Sequence, residues 1–485
     1  MIKVPPYSYL VVPFNILEGK GTQKFKDYVA MLSIEFGRNS EPSSRNKLTW
    51  IPGRVFREKR ILFREQMAYS HFQPIFDAFA CNEPEGNRMP DSSLCVLNLQ
   101  RYGKEEIFDE TLALVLGDNN NKEEIEFTIH NMENSFDAVK MIVNINASVG
   151  LIVIPVATNL AIDNFQRFVY LIREITKKSI KQKDKSEDLW SIQDKICEWM
   201  SEFEGCYSIT THEAQHLSFL INETPDDSKA QRQQLLRISR SQQIETADSL
   251  SGVEFLEVPN QLLVCSAMEG TAIMTTVEGG IENKARFKKM YSTEQTERYI
   301  VFMSVLIQRY ALISIVNQLT KLGRQIGNST PEKNVSFSSK GIIKTWWDGR
   351  LTSRPDMLAL QREQVKTASL IRIENYFSHI SEYSLYNEFY QMCSKAYGIT
   401  TLYKEIEQKM SMLNTYLTQQ SDDRHERAEW LLSIIMAILT VTSATNDISQ
   451  LSRGVVKQPW LFIMGLSFAV VIFFYIFRAI FKNMR

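Results

Sequence analysis

The chain has 485 residues, room for roughly two or three domains. Its 55 Lys+Arg against 56 Asp+Glu leave a formal charge of −1, so it lacks the basic excess of a nucleic-acid-binding protein, and 44% hydrophobic residues suffice for a large core. The six cysteines (Cys81, Cys95, Cys197, Cys206, Cys265, Cys393) form no CxxC pair and no regular spacing, which suits reduced thiols in a cytosol better than a disulfide framework.

The opening MIKVPPYSYLVVPF lacks a continuous apolar core and reads as a first strand, not a signal peptide. RNKLTWIPGRVFREKRILFR (45–64) then gathers seven Arg or Lys around one Glu. With Trp50 and Phe56 for stacking, Arg45, Lys47, Arg54, Arg57, Arg60 and Arg64 are candidates for binding an anionic ligand; a solvated basic face is the plainer reading. Runs rich in Val, Ile and Phe at 7–14, 93–99, 111–117, 124–130 and 141–156 predict strands. Thr158 or Asn159 is expected to cap a helix over LAIDNFQRFVYLIREITKK. The lysine-rich KKSIKQKDKSED (177–188) reads as a surface linker, WSIQDKICEWMSEF as a short amphipathic helix and ETPDDSKAQRQQ (223–234) as a loop. QLLVCSAM and TAIMTTV predict two strands around a Glu269-Gly270 turn. Between these lies HEAQH: on a helix, His212 and His216 would share a face and could hold zinc with Glu213 as base. The preceding GCYSITT is not helical in pattern, the extended motif fails at Phe219, and no third ligand is evident.

From Ser292 the pattern is helical. TEQTERYIVFMSVLIQRYALISIVNQLTKL is apolar enough to suggest a span, but Gln308 and Arg309 interrupt it, so a buried helix is expected. A loop covers 327–341, a helical stretch runs from about Pro355 to Ala396, and Gly398 breaks it. From Ile399 no Pro or Gly appears until past Thr445, a helix of roughly 70 Å that must act as a stalk.

Trp460 to Phe477 is a run of 18 uncharged, mostly apolar residues, spanning roughly 27 Å as a helix, the thickness of a bilayer core. Trp430 to Ala444 is a second, more polar run, so the pair predicts a transmembrane hairpin. Arg424 and Arg427 precede it and Arg478, Lys482 and Arg485 follow it, which places both termini in the cytoplasm. At helical spacing Asp422, Glu426, Glu429, Ser433, Met436, Thr440, Ser443 and Asp447 form one stripe, acidic at both ends and hydroxyl-rich between. In a symmetric oligomer it would line a pore, with Asp422 and Glu426 at the cytosolic mouth. Alternatively, Ser and Thr here join helices or bond their own preceding turn.

LNTYLTQQSDDRHERAEWLLSIIMAILTVTSA (413–444), with the stalk, hairpin and basic tail, resembles the CorA-like two-transmembrane cation transporter superfamily. The resemblance implies an α+β or α/β cytosolic domain (1–290), a helical region (291–398), a stalk (399–429), a first span (430–447), an external loop (448–459), a second span (460–481) and a tail (482–485). It implies a homo-oligomer, a pentamer by family analogy, in the plasma (inner) membrane of a prokaryote. The family's Gly-Met-Asn filter is missing; Asn446, Ser449 and Gln450 stand there instead, and Arg453 and Lys457 make the loop basic. Those departures resemble the divergent CorA-like effectors of type III CRISPR antiviral defence, which implies gating by a small nucleotide messenger, an S-adenosylmethionine–AMP conjugate. On that reading the partners are the bilayer, further copies of the chain and the messenger, with no direct nucleic acid, no required cofactor and no catalysis; divalent cations are possible ligands. A constitutive Mg²⁺ transporter and a membrane-anchored zinc protease are the competing readings.

Overall fold

A computed structural model describes residues 7–16, 48–52, 94–101, 107–116, 123–131, 138–144, 147–183, 189–201, 210–222, 228–241, 253–258, 262–276, 284–329, 365–366, 368–369, 380 and 384–419, with Glu429, Ser433 and Met436. The chain divides into two compact units, Met1–Met410 and Ser411–Arg485.

The first unit is a mixed α/β body on one large sheet. Its strands are β1 (Tyr7–Asn15), β2 (Leu48–Pro52), β3 (Leu94–Arg101), β4 (Thr111–Leu116), β5 (Glu123–Ile129), β6 (Lys140–Asn144) and β7 (Val149–Ala157). After helix α1 (Ile162–Ile172) come β8 (Ile180–Gln182), α2 (Ile192–Trp199), β9 (Thr210–Thr211), β10 (Gln215–Asn222) and α3 (Ser228–Ser239). Then follow β11 (Glu254–Val258), β12 (Leu262–Ser266), β13 (Gly270–Thr276), α4 (Lys284–Ser329), α5 (Ser384–Ala396) and a helix α6 over 399–419. The main path of the sheet runs β11-β12-β13-β10-β1-β7-β5-β4-β8; β2, β3 and β6 branch from β7, and β9 pairs with β1. Among the described pairs only β10 and β13 run parallel.

β1 is central and buried on both faces, which explains its near-continuous apolar run. One face carries Leu10, Val12, Phe14, Ile152, Ile154 and Met274 into a core shared with Phe165 and Phe168 of α1 and Leu235 and Ile238 of α3. The other carries Tyr9 against Tyr299 of α4, ring centroids 4.6 Å apart. α4 packs along β7, β6, β1 and β10, and α5 along β11, β12 and α4. Glu297–Arg324 within α4 is long and apolar enough to cross a membrane, with 78% of its most apolar window buried. That agrees with the expected buried helix, since a sheet face accounts for its apolar length. Two cations sit fully buried on this side against aromatic faces: Lys140 Nζ lies 5.5 Å from the Tyr299 ring and Arg298 Cζ 5.0 Å from Phe389.

The structure differs from three expectations. The helix after β7 is capped at Ala161, with no side-chain cap; Thr158 only holds the Leu160 amide of the preceding turn, at 3.4 Å. The lysine-rich stretch holds a strand, β8, because Ile180 is buried while its polar neighbours face outward, Lys181 reaching Glu124 at 2.6 Å. The expected loop 223–234 is overlapped by α3, whose apolar residues lie at its far end, beyond a polar first half.

Candidate functional site

The HEAQH segment is not helical. His212, Glu213 and Ala214 form the loop between β9 and β10, and Gln215 and His216 open β10. The His212 amide donates to the Pro13 carbonyl at 2.8 Å, which ties the loop to β1. The two rings serve different surroundings. His212 stacks 4.9 Å from Tyr310 of α4, whereas His216 hydrogen-bonds Ser218 through Nδ1 at 2.9 Å and borders the Ile238 and Ser239 backbone of α3. The helix that a zinc set of His212, Glu213 and His216 would need is absent, since the segment is a loop and the start of a strand. No group of three or more His, Cys, Asp or Glu is placed to hold a metal among the described residues.

His216 is wholly buried, and its pKa is pushed down to about 3, chiefly by loss of hydration and secondarily by Arg173. Its ring lies over Gly270 of β13, its register partner, where a Cβ would come within 2.3 Å.

What the loop does build is a polar cluster around Tyr310. Gln215 points to the α4 side and donates from Nε2 to the Tyr310 hydroxyl at 3.2 Å. Arg309, next on α4, lies with its guanidinium 6.0 Å from the Tyr310 ring and donates from Nη1 to the Tyr397 carbonyl. Arg173, at the C-terminal end of α1, donates from Nε to the Ala214 carbonyl at 2.7 Å. Glu213 in the loop and Glu269 in the tight turn between β12 and β13 face Arg173 electrostatically. Burial lowers the Arg173 pKa against the pull of those two carboxylates, but a guanidinium stays protonated. Burial, and then Arg309, lower the pKa of His212, so its imidazole is neutral at neutral pH. Burial raises the pKa of Tyr310 and Tyr397, which keeps both phenols neutral.

The cluster retains unused hydrogen-bonding capacity. Gln215 Oε1, His212 Nε2 and Arg309 Nε are buried without a partner in the structure. Such atoms are costly unless something else meets them. Gln215 is 4% exposed, His212 and Arg309 are half-buried and Glu213 is exposed, so the cluster runs from the core to the surface.

Beside it, α5 and α6 meet at a single residue. Gly398 has φ +66°, its amide donating to the Lys395 carbonyl at 3.1 Å while its own carbonyl accepts from Leu402 at 3.0 Å. The break expected at Gly398 is thus a left-handed joint between two helices. Tyr397 just before it is fully buried and stands edge-on to Phe302 of α4, ring centroids 5.8 Å apart.

The other sequence-based sites are placed in part. Glu429, Ser433 and Met436 are helical and exposed, within about 60° of one direction. Ser433 Oγ donates to the Glu429 carbonyl at 2.9 Å, the bond to the preceding turn. Asp422, Glu426, Thr440, Ser443, Asp447, Asn446, Ser449, Gln450 and both apolar runs of the hairpin otherwise lie outside the described residues, as do Arg45, Lys47, Arg54, Arg57, Arg60 and Arg64. β2, in the midst of that basic segment, pairs with β3, Trp50 opposite Leu99. The sequence reading missed Arg173, Gln215, Arg309, Tyr310 and Tyr397 as a group. One signal was available: Gln308-Arg309 was noticed as an interruption, and a cation inside a buried helix needs a reason.

Compared with protein families, curated proteins and solved structures, the chain matches none of them.

Proposed function

We propose that the chain is a CorA-like membrane channel, gated by a small nucleotide messenger of the S-adenosylmethionine–AMP type, and that it acts as an effector of type III CRISPR antiviral defence by letting ions cross the membrane. The observation that carries this reading is the stripe from Asp422 to Asp447 running through an apolar segment, followed by the uncharged run Trp460 to Phe477. Polar groups at membrane depth are costly unless they face a partner or water. Exposure of Glu429 and Ser433 on one side of their helix supports the stripe as a face open to either. The chain then works as a homo-oligomer in a prokaryotic plasma membrane with both termini cytoplasmic, and it acts by binding, without turnover.

The missing Gly-Met-Asn filter and the basic loop residues Arg453 and Lys457 favour a gated effector over a constitutive Mg²⁺ transporter. The test is flux from liposomes holding the full chain. Ion release that depends on added messenger is expected. Equal flux with and without messenger, together with rescue of a magnesium-requiring strain, favours the transporter; no flux in either state removes both.

A further inference from the structure

Arg309 is the unbalanced charge of the first unit's polar cluster. Arg173 has Glu213 and Glu269 facing it. Arg309 has no ion pair among the described residues; its guanidinium meets the Tyr310 ring and hydroxyl and the Tyr397 carbonyl, and its Nε meets nothing. Around the same tyrosine, the half-buried neutral His212 holds Nε2 and the buried Gln215 holds Oε1 without partners. A guanidinium, a neutral imidazole and a phenol set around one point make a recognition set for an oxyanion, since the first is a planar fork and the others can donate to a second oxygen. Glu213 and Glu269 lie within electrostatic reach of Arg173, which offsets part of their repulsion of an anion, while Glu213 also acts on Tyr310.

We infer that His212, Arg309 and Tyr310 bind an oxyanion, a phosphoryl or carboxylate group of a small molecule, and that its arrival draws Arg309 away from the Tyr397 carbonyl and so loosens the joint at Gly398. The competition follows from chemistry: an oxyanion gripped through the Nη1–Nη2 fork takes the Nη1 donor that the Tyr397 carbonyl now holds, and a charged oxygen is a stronger acceptor than a peptide carbonyl. The consequence follows from position. Tyr397 and Gly398 are the two residues between α5 and α6, and α4 holds that turn through Arg309 and through Phe302. A ligand thus changes the restraint on α6 through one hydrogen bond, with differential affinity for the restrained and released states. For the step from α6 to an opened pore this rests on the channel reading; the binding and the joint do not.

The experiment uses the full chain in detergent micelles, with pyrophosphate and succinate as probes. Binding is read by titration calorimetry, and the joint by amide hydrogen exchange of the peptide covering 393–402. Pyrophosphate, succinate or both should bind to the wild type, the pair telling phosphoryl from carboxylate. Arg309→Gln should weaken binding roughly 10- to 100-fold, the loss of a charge-assisted contact. Arg309→Lys should recover part of it, and Arg232→Gln, at an exposed ion pair with Glu257, none of the loss. Exchange in 393–402 should quicken with ligand in the wild type only. If Arg309→Gln fails to fold by circular dichroism, His212→Asn carries the same test. No binding of either probe, or wild-type affinity in the variants, overturns the site. Binding without a change in exchange overturns the coupling. Binding and exchange as expected with no messenger-dependent flux would leave this site standing and remove the channel reading instead.

Discussion

At the scale of single residues, two glycines decide what the sheet can hold. Gly270 leaves space for the His216 ring and Gly150 for the Phe14 ring, with a built Cβ meeting them at 2.3 and 2.2 Å. In each case the ring belongs to the strand neighbour in register, so the aromatic lies flat across the adjacent backbone. Gly270→Ala should therefore destabilise the first unit by about 1–3 kcal/mol, the usual cost of overpacking. Thermal melting of the full chain checks this, and His216→Ala in the same chain should recover part of the loss. His216 itself sets a pH dependence. Its folded pKa near 3 lies below the unfolded value near 6.5. Between those values the unfolded chain binds the extra proton, so stability is present above about pH 6.5 and drains away as pH falls toward 3. His212, shifted in the same direction, adds to the slope. Replacing His216 by Gln should flatten the melting temperature across pH 3–6.5, and an unchanged slope would assign the effect to other groups. The sequence marked both histidines as a weak zinc candidate that needed a helix, and the structure places them on a loop and a strand. Five residues carry no information about whether their backbone is helical, and here β10 belongs to a sheet whose far strands decide the matter.

At the scale of elements, the apolar strands were legible and the polar elements were not. β1, β7, β12 and β13 draw their Val, Ile and Leu from burial on two faces, a pattern readable without neighbours. β8 could not be read that way. It is a three-residue edge strand among lysines, held by Ile180 beneath β4 and by Lys181 across to Glu124 on β5. α2 lies within the expected short helix WSIQDKICEWMSEF, and one local rule sets its start: the Ser191 hydroxyl accepts from the Asp194 amide at 3.1 Å while the Asp194 carboxylate accepts from the Ser191 amide at 2.9 Å. Ser191→Ala should cost about 1 kcal/mol through loss of that reciprocal cap, seen as a lower denaturant midpoint with an unchanged slope. The α5–α6 joint makes a different demand. Nothing lies within 4 Å of where a Cβ would project from Gly398, but its φ of +66° disfavours any side chain. Gly398→Ala should cost about 1–2 kcal/mol by conformation alone, and Gly398→Asn less, since Asn tolerates the left-handed region. Equal losses for the two variants would point to a cause other than backbone conformation.

At the scale of the whole molecule, the two kinds of information are complementary. The sheet, its helices and the Tyr310 cluster could not be assembled from composition, because Arg173, Gln215, Arg309 and Tyr397 come from four distant segments. The proposed C-terminal hairpin rests on the sequence alone, because hydropathy and a 3.6-residue stripe require no tertiary context. Asp447 ends that stripe, just before Ser449 and Gln450. If copies of the chain surround a pore, each contributes one such carboxylate to a ring, and the ring concentrates cations at the mouth. Asp447→Asn then removes one charge per copy while keeping the side chain's size and hydrogen-bonding capacity. Cation-over-anion selectivity, measured as reversal potential across a salt gradient in bilayers, should fall toward zero discrimination in the variant. Since exposed charges are screened within about 10 Å at 0.1 M salt, the difference between wild type and variant should be largest in dilute salt and shrink near 1 M. A variant that conducts with undiminished selectivity in dilute salt would move Asp447 off the ion path and leave the hydroxyls of Ser433, Thr440 and Ser443 as ties between helices.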